Sequence, residues 1–116
     1  MADDQAGRAP LVRVETGEQS VVVRVGGEID IDRASMLRDA LHKAITQRDC
    51  PNEIVVDLTE VTFCDSSGLN ALLQGRLTAL EHSRQVRLHA PSTQVVRLLE
   101  LTGAEQLFPI TARPGS

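Results

Sequence analysis

The sequence predicts an α/β fold, in which helices pack on a mixed β-sheet in the order β-β-α-β-α-β-α-β. Two observations support this class. Two short β-branched segments flank a glycine-bearing turn near the start, and beyond Asp32 helical and strand-like patterns alternate. Such alternation implies parallel pairing through right-handed crossovers. We therefore expect an antiparallel opening hairpin followed by parallel strands.

Length and composition fit one domain. The chain has 116 residues, of which 41% are hydrophobic, and its 8 glycines raise the apolar share to about 48%, as in globular domains. Residues 1–9 and 112–116 are small, polar and without periodicity, so we predict flexible tails at both ends. The domain itself is expected to occupy residues 10–111.

The opening hairpin is predicted from two β-branched runs. Leu11 to Glu15 and Ser20 to Val25 have strand composition, and residues 16–19 between them have turn character. Gly26 and Gly27 are expected to end the second strand.

Three helices are predicted from apolar spacing and from their caps. Asp30 or Asp32 can cap the first helix, and Ser92 and Gly103 bound the third. The apolar positions of the first helix are Leu37, Ala40, Leu41, Ala44 and Ile45. Those of the second, on one stripe, are Leu69, Leu72, Leu73, Leu77 and Leu80, and those of the third are Val95, Val96 and Leu99.

Three further strands alternate with these helices. Residues 54–58 form a continuous β-branched run, which predicts a strand buried on both faces. Residues 86–89 make a short strand. Residues 107–110 contain Pro109, which cannot donate to a ladder, and are therefore predicted to add an edge strand.

Charge and composition exclude several classes of function. Twelve basic residues against sixteen acidic ones give a net charge of −4, with two aromatic residues, whereas nucleic-acid binding needs a cationic surface. No apolar run approaches the 20 or so residues of a membrane span, and no export signal is visible. Cys50 and Cys64 are therefore expected to be reduced thiols in the cytoplasm.

The segment from Asp65 to Leu69 stands at the entry to the second helix. A helix start offers unpaired N–H groups and a positive dipole end, which stabilise an anion such as a phosphate on a serine hydroxyl. Asp65 or Ser66 can also serve simply as an N-cap, with Gly68 fitting a tight junction. The two interpretations are compatible, because a hydroxyl at the helix start is also within reach of a kinase.

Catalytic and metal-binding roles are disfavoured. Ser66 lacks the preceding glycine of a nucleophile elbow, and His89, at the same sheet edge, is the only conceivable base for Ser66 or Cys64. Four aspartates suggest a cation pocket, as in phospho-aspartate receivers, but the sole lysine, Lys43, lies on the first helix. We predict no catalytic residue, no metal and no cofactor, and a small hydrolase or thiol enzyme stays the competing hypothesis.

Three motifs together resemble a STAS domain, in particular the single-domain bacterial anti-sigma-factor antagonists. They are Gly27-Glu28-Ile29-Asp30, Ile54-Val55-Val56-Asp57-Leu58, and the segment from Val61 to Leu69 with Asp65-Ser66-Ser67-Gly68. The resemblance spans about residues 10 to 110. The sequence departs from the family pattern at two positions. It has Asn70 where family members often have glycine, and Cys64 where many have methionine or isoleucine.

The resemblance implies a phosphorylation switch. The unphosphorylated protein would bind an anti-sigma factor that is a serine kinase and free the sigma factor; phosphorylation of Ser66 would end binding, and a serine phosphatase would restore it. Asp30 is implied to support partner binding or phosphorylation, and we expect Asp30→Ala to leave the thermal midpoint nearly unchanged unless Asp30 is a cap. The other supporting positions are Asp65, Ser67, Gly68, Leu69 and Asn70. The alternative is a STAS scaffold or ligand-sensing module without a serine switch.

Overall fold

The computed structural model describes residues 12–114, so the predicted tail at 1–9 and the last two residues lie outside it. The predicted order of elements is confirmed. The strands are β1 (Val12–Thr16), β2 (Ser20–Ile29), β3 (Glu53–Cys64), β4 (Gln85–His89) and β5 (Ile110–Thr111). The helices are α1 (Ile31–Thr46), α2 (Ser66–Glu81) and α3 (Thr93–Thr102), and a 3-10 turn covers Ala104–Leu107.

The five strands form one mixed sheet in the order β1-β2-β3-β4-β5. β1 and β2 pair antiparallel as the predicted hairpin, and the remaining strands pair in parallel. Each helix connects neighbouring parallel strands, and every crossover advances the sheet in the same direction. Because such crossovers are right-handed, all three helices lie on one face of the sheet.

Burial along the strands shows the same one-sided arrangement. In β3, Ile54, Val56 and Leu58 are buried, whereas Val55 and Asp57 are only partly covered. The prediction that this strand is buried on both faces is therefore wrong. Only the face toward the helices joins the core, and the opposite face carries charged side chains that remain in contact with water.

β2 and β3 are longer than predicted. β2 does not end at Gly26 and Gly27 but runs through them to Ile29, and β3 continues to Cys64. Two register shifts between these strands place extra residues in β3, so Arg24 pairs with Asp57 but Gly26 with Glu60, and then Gly27 with Val61 but Glu28 with Phe63. Bulges of this kind let pairing resume after the glycines.

α2 buries only part of the predicted leucine stripe: Leu69 and Leu72 are buried, and Leu73 packs partly against the core. Leu77 and Leu80 are 52% and 54% exposed. Its buried residues instead include four small ones, because α2 packs closely against α1: a Cβ on Gly75 would stand 2.7 Å from Leu41 Cδ1. The buried set is Gly68, Leu69, Ala71, Leu72, Gly75 and Ala79.

The predicted caps of α1 and α3 are confirmed. Asp30 caps α1, Ser92 caps α3, and Gly103 ends α3 in the left-handed region at φ 76°. The last edge strand lies slightly later than predicted, at Ile110–Thr111, because residues 104–107 first form the 3-10 turn. Within residues 12–114 no helix has the length and apolar composition that crossing a bilayer requires.

Candidate functional site

The carboxyl ends of β2 and β3 lie side by side and bring the two predicted loops together. Ile29 pairs with Cys64, and the next backbone amide, Asp65 N–H, donates to the Ile29 carbonyl at 3.3 Å. Asp30 and Asp65 each follow directly on these paired residues and open a helix. The starts of α1 and α2 therefore stand next to each other at one edge of the sheet, where open α/β folds place their sites.

Asp65, rather than Ser66, caps α2. One carboxylate oxygen, Oδ1, accepts hydrogen bonds from Ser67 N at 2.8 Å and Gly68 N at 3.2 Å. Ser66 is the first helical residue and its side chain is exposed. Its hydroxyl is thus free of the capping role and lies at the positive end of the helix dipole.

Gly68 and Leu69 anchor the start of α2 in the core. A Cβ on Gly68 would come within 2.5 Å of Cys64 Sγ and 2.8 Å of Ile29 Cγ2, so only glycine lets the helix approach the two strand ends this closely. Leu69 is buried beside it, while Ser67 is half-buried. Asn70, one turn beyond Ser66, is exposed on the surface of the helix.

Asp30 performs the same local task for α1. Its carboxylate accepts from Arg33 N at 3.1 Å, and its side chain remains exposed. Arg33 lies across Gly27, which has a φ of 76°, and donates to the Glu28 carbonyl at 2.9 Å. Because Asp30 does cap α1, the exception stated for a capping residue applies, and its replacement by alanine is expected to cost stability.

Two apolar side chains on this edge are unusually exposed. Ile31, the first residue of α1, is 72% exposed, and Phe63, near the end of β3, is 46% exposed. We call the exposed residues Ile31, Phe63, Ser66 and Asn70, together with Asp30, the switch surface. It combines exposed apolar side chains with a hydroxyl and a carboxylate, and in protein interfaces such apolar side chains form the core while polar groups form the rim.

The side chain of Gln94 holds the end of β3, a role that the sequence analysis did not predict. Its Oε1 accepts from Cys64 N at 2.9 Å, and its Nε2 donates to Cys64 O at 2.7 Å. The side-chain amide thereby continues the ladder at Cys64, beyond the point where β4 ends. A glutamine just after a helix cap carries no local signal for this role, because its partner is 30 residues away.

The residues of the competing enzyme hypothesis do not meet. His89 is not beside Ser66 but pairs with Asp57, seven residues before Cys64 along β3, and its Nδ1 lies 2.9 Å from Thr111 Oγ1. Burial, with the nearby Asp65 carboxylate, raises the pKa of the Cys64 thiol to about 11. A thiol that stays protonated at neutral pH is a poor nucleophile.

The aspartates also do not converge on a cation pocket. Asp57 lies on the open face of the sheet, where Arg24 Nε stands 3.2 Å from its Oδ2. Partial burial acts to raise the pKa of Asp57, but hydrogen bonds from Thr59 and the charges of His89 and Arg24 lower it on balance. Within residues 12–114 no three metal-ligating side chains are grouped for a metal ion.

Comparison with known proteins agrees with this architecture. The family model described as "Mlab, STAS domain" matches residues 12–110. A STAS-domain containing protein of Pseudomonas aeruginosa is 35% identical over 94 residues (80% of this chain and 89% of the relative), and an anti-sigma-B factor antagonist of Staphylococcus aureus is 30% identical over 100 (85% and 90%).

A solved structure shares both sequence and fold with the chain. It is an anti-sigma factor antagonist from Mycobacterium paratuberculosis, with 30% identity and a TM-score of 0.75 over 87% of this chain and 84% of that one. The residues matched by the family model include every strand and helix that builds the edge with Asp30 and Ser66. With the family model matched from Val12 to Ile110, the chain belongs to the STAS domain family.

Proposed function

We propose that this protein is an anti-sigma-factor antagonist whose binding to its partner is switched off by phosphorylation of Ser66. Relatives from Staphylococcus aureus and Mycobacterium paratuberculosis bear the name of that function and match most of the chain. The observation that carries the switch is the position of Ser66. It is the exposed first residue of α2, and Asp65 next to it does the capping.

A kinase can reach this hydroxyl without unfolding the protein. Asp65 satisfies the amides of Ser67 and Gly68, so modification of Ser66 removes no hydrogen bond of the cap. The helix start also favours a phosphate, because the dipole is positive there. We therefore expect phosphorylation to leave the fold intact and to act on the surface alone.

The effect on binding follows from charge. A phosphoserine adds about −1.5 to −2 charges, and it would stand next to Asp65, on the same edge of the sheet as the exposed Ile31 and Phe63. A partner that covers these apolar side chains must desolvate the phosphate or be repelled by it. A loss of about 2.7 kcal/mol of binding free energy weakens binding about 100-fold.

The partner is an anti-sigma factor with serine kinase activity, and a serine phosphatase reverses the modification. The test uses the kinase-type anti-sigma factors of the source organism, each incubated with ATP and the protein. Peptide mapping should place one phosphate on Ser66. Ser67→Ala, the matched control, should still be labelled, whereas Ser66→Ala should not; labelling of Ser66→Ala at Ser67 would overturn the assignment.

Binding to the same partner, measured by calorimetry, tests the switch itself. Wild type and Ser66→Ala should bind tightly, Ser66→Asp more weakly, and the phosphorylated protein most weakly, because a carboxylate has less charge and fewer acceptor oxygens than a phosphate. Equal affinity of the phosphorylated protein and Ser66→Ala would favour a scaffold or ligand-sensing module without a serine switch.

A further inference from the structure

Within the part of the chain that the structure describes, the outer edge of β1 is unpaired. β1 stands first in the sheet order, and among residues 12–114 no strand pairs with its other side. β1 has five residues and is longer than β5 at the opposite edge, which has two. An open edge of this length offers unpaired backbone groups to another chain, and proteins usually cover or block it.

The sequence of β1 is complementary to itself in the antiparallel direction. If two copies of Val12–Thr16 pair about a two-fold axis at Val14, Arg13 of each copy stands opposite Glu15 of the other. Oppositely charged residues in directly opposed positions stabilise a strand pair. Val14 then meets its own copy at the axis, as an isologous interface requires.

Arg13 has no carboxylate partner within the chain. It stands directly opposite Arg24 in the hairpin, a like-charge pair that disfavours this position, and it makes no salt bridge among the described residues. Glu15 Oε1 already lies 2.9 Å from Arg24 Nη1. In the paired strands, Glu15 of the second copy supplies the carboxylate that Arg13 lacks. Arg13 thereby joins the existing ion pair between Glu15 and Arg24 of that copy.

Apolar side chains flank the same edge on the helical face. Val14 is 40% exposed and Met36 of α1 is 44% exposed. They line a groove of about 440 Å³ between β1 and α1, together with Asp39, Ala40, Lys43, Ala44 and Gln47. Pairing of two β1 strands brings the two grooves together, so these apolar groups gain cover from water.

We propose that the protein forms a two-fold symmetric dimer in which the β1 strands of two copies pair antiparallel about Val14, joining two sheets into one. None of the residues involved belongs to the switch surface, so the dimer is independent of the proposed anti-sigma function. The contact is small. We expect reversible association with a dissociation constant of about 10–100 µM, as for interfaces at the low end of the size range.

The experiment is sedimentation velocity on the full chain from about 1 to about 500 µM, which brackets that association range. Wild type should shift from monomer to dimer. Arg13→Glu places the new glutamate of each copy opposite Glu15 of the other and should weaken the dimer at least about tenfold. Within one chain the new carboxylate stands opposite Arg24, so the variant should not destabilise the monomer. The double variant R13E/E15R restores opposite charges across the axis and should recover dimerisation.

Arg97→Glu is the matched control, because it makes the same charge change on an exposed residue of α3 far from β1. It should dimerise like wild type. A chain that stays monomeric throughout, a dimer that survives Arg13→Glu, or a double variant that fails to recover would each overturn the proposal. Slow amide exchange along both edges of β1 in a monomer would show that another part of the same chain covers the strand, which also overturns it.

Discussion

The starts of α1 and α2 are built alike, yet only one presents a hydroxyl. Each follows a parallel strand, each is capped by an aspartate, and the two strand ends are paired at Ile29 and Cys64. At the first helical position, however, α1 has the exposed Ile31 and α2 has the exposed Ser66. The cap is therefore shared by both helices, and the residue that follows it distinguishes the proposed modification site.

The two starts also differ in how firmly they are held. At the start of α1 the third residue, Arg33, lies over Gly27 and donates to the Glu28 carbonyl, and the first buried residue is the small Ala34. The start of α2 packs its third residue, Gly68, against Cys64 and Ile29, and Gln94 clamps the strand end before it. The comparison shows that the third residue of α2 is packed against both strand ends, whereas the third residue of α1 is only partly buried.

Substitution of the third residue of each helix should show the largest difference. In Gly68→Ala the new methyl group stands under 3 Å from Cys64 Sγ and Ile29 Cγ2, neither of which can move aside freely. We expect a loss of about 3 kcal/mol, at the upper end for overpacking. The matched change Arg33→Ala should cost less than about 1 kcal/mol. Urea unfolding of both variants measures the contrast, and equal losses would show that the packing argument is wrong.

Removal of the Gln94 clamp should have the next largest effect. Gln94→Ala leaves the N–H and C=O of Cys64 without their partner, and we expect a loss of about 2 kcal/mol. Gln94→Glu keeps the acceptor for Cys64 N but loses the donor to Cys64 O, so it should retain part of the stability. Amide exchange at Cys64 should speed up in Gln94→Ala; if it does not, the clamp contributes little.

Loss of either cap should cost less than Gly68→Ala or Gln94→Ala. Asp65→Ala and Asp30→Ala are each expected to destabilise by about 1 kcal/mol, with the asparagine variants close to wild type. Asp65 should cost slightly more, because its carboxylate accepts two amide hydrogen bonds against one for Asp30. Thermal melts give both values. Asp30→Asn keeps the cap but removes the charge. A phosphorylation defect in this variant would therefore show that phosphorylation depends on the charge of Asp30.

Sequence patterns predicted the fold well where the controlling physics is local. The alternation of strands and helices, the caps at Asp30 and Ser92, and the glycine end at Gly103 all depend on residues close in the chain. These were enough to bring Asp30 and Asp65 to one edge of the sheet. The choice between Asp65 and Ser66 as the cap needed the backbone conformation at that point.

Features set by distant contacts could not be predicted. Leucine spacing placed Leu77 and Leu80 on the apolar stripe of α2, but close packing on α1 selected the side with Gly75 and Ala79. The two bulges that carry β3 to Cys64 arise from its pairing with β2. Gln94 finds its partner only because α3 begins beside the end of that strand.

The hydrogen bonds around the end of β3 have a consequence for the thermodynamics of partner binding. Asp65 N–H on the Ile29 carbonyl, the Gln94 clamp and the Asp65 cap order the backbone on which Ser66 stands. A partner that docks here meets a segment whose conformational entropy was already lost on folding, so association has little ordering to impose. Under the proposed switch, differences in affinity between modified and unmodified protein are then expected to arise from surface chemistry and to change mainly the dissociation rate of the complex.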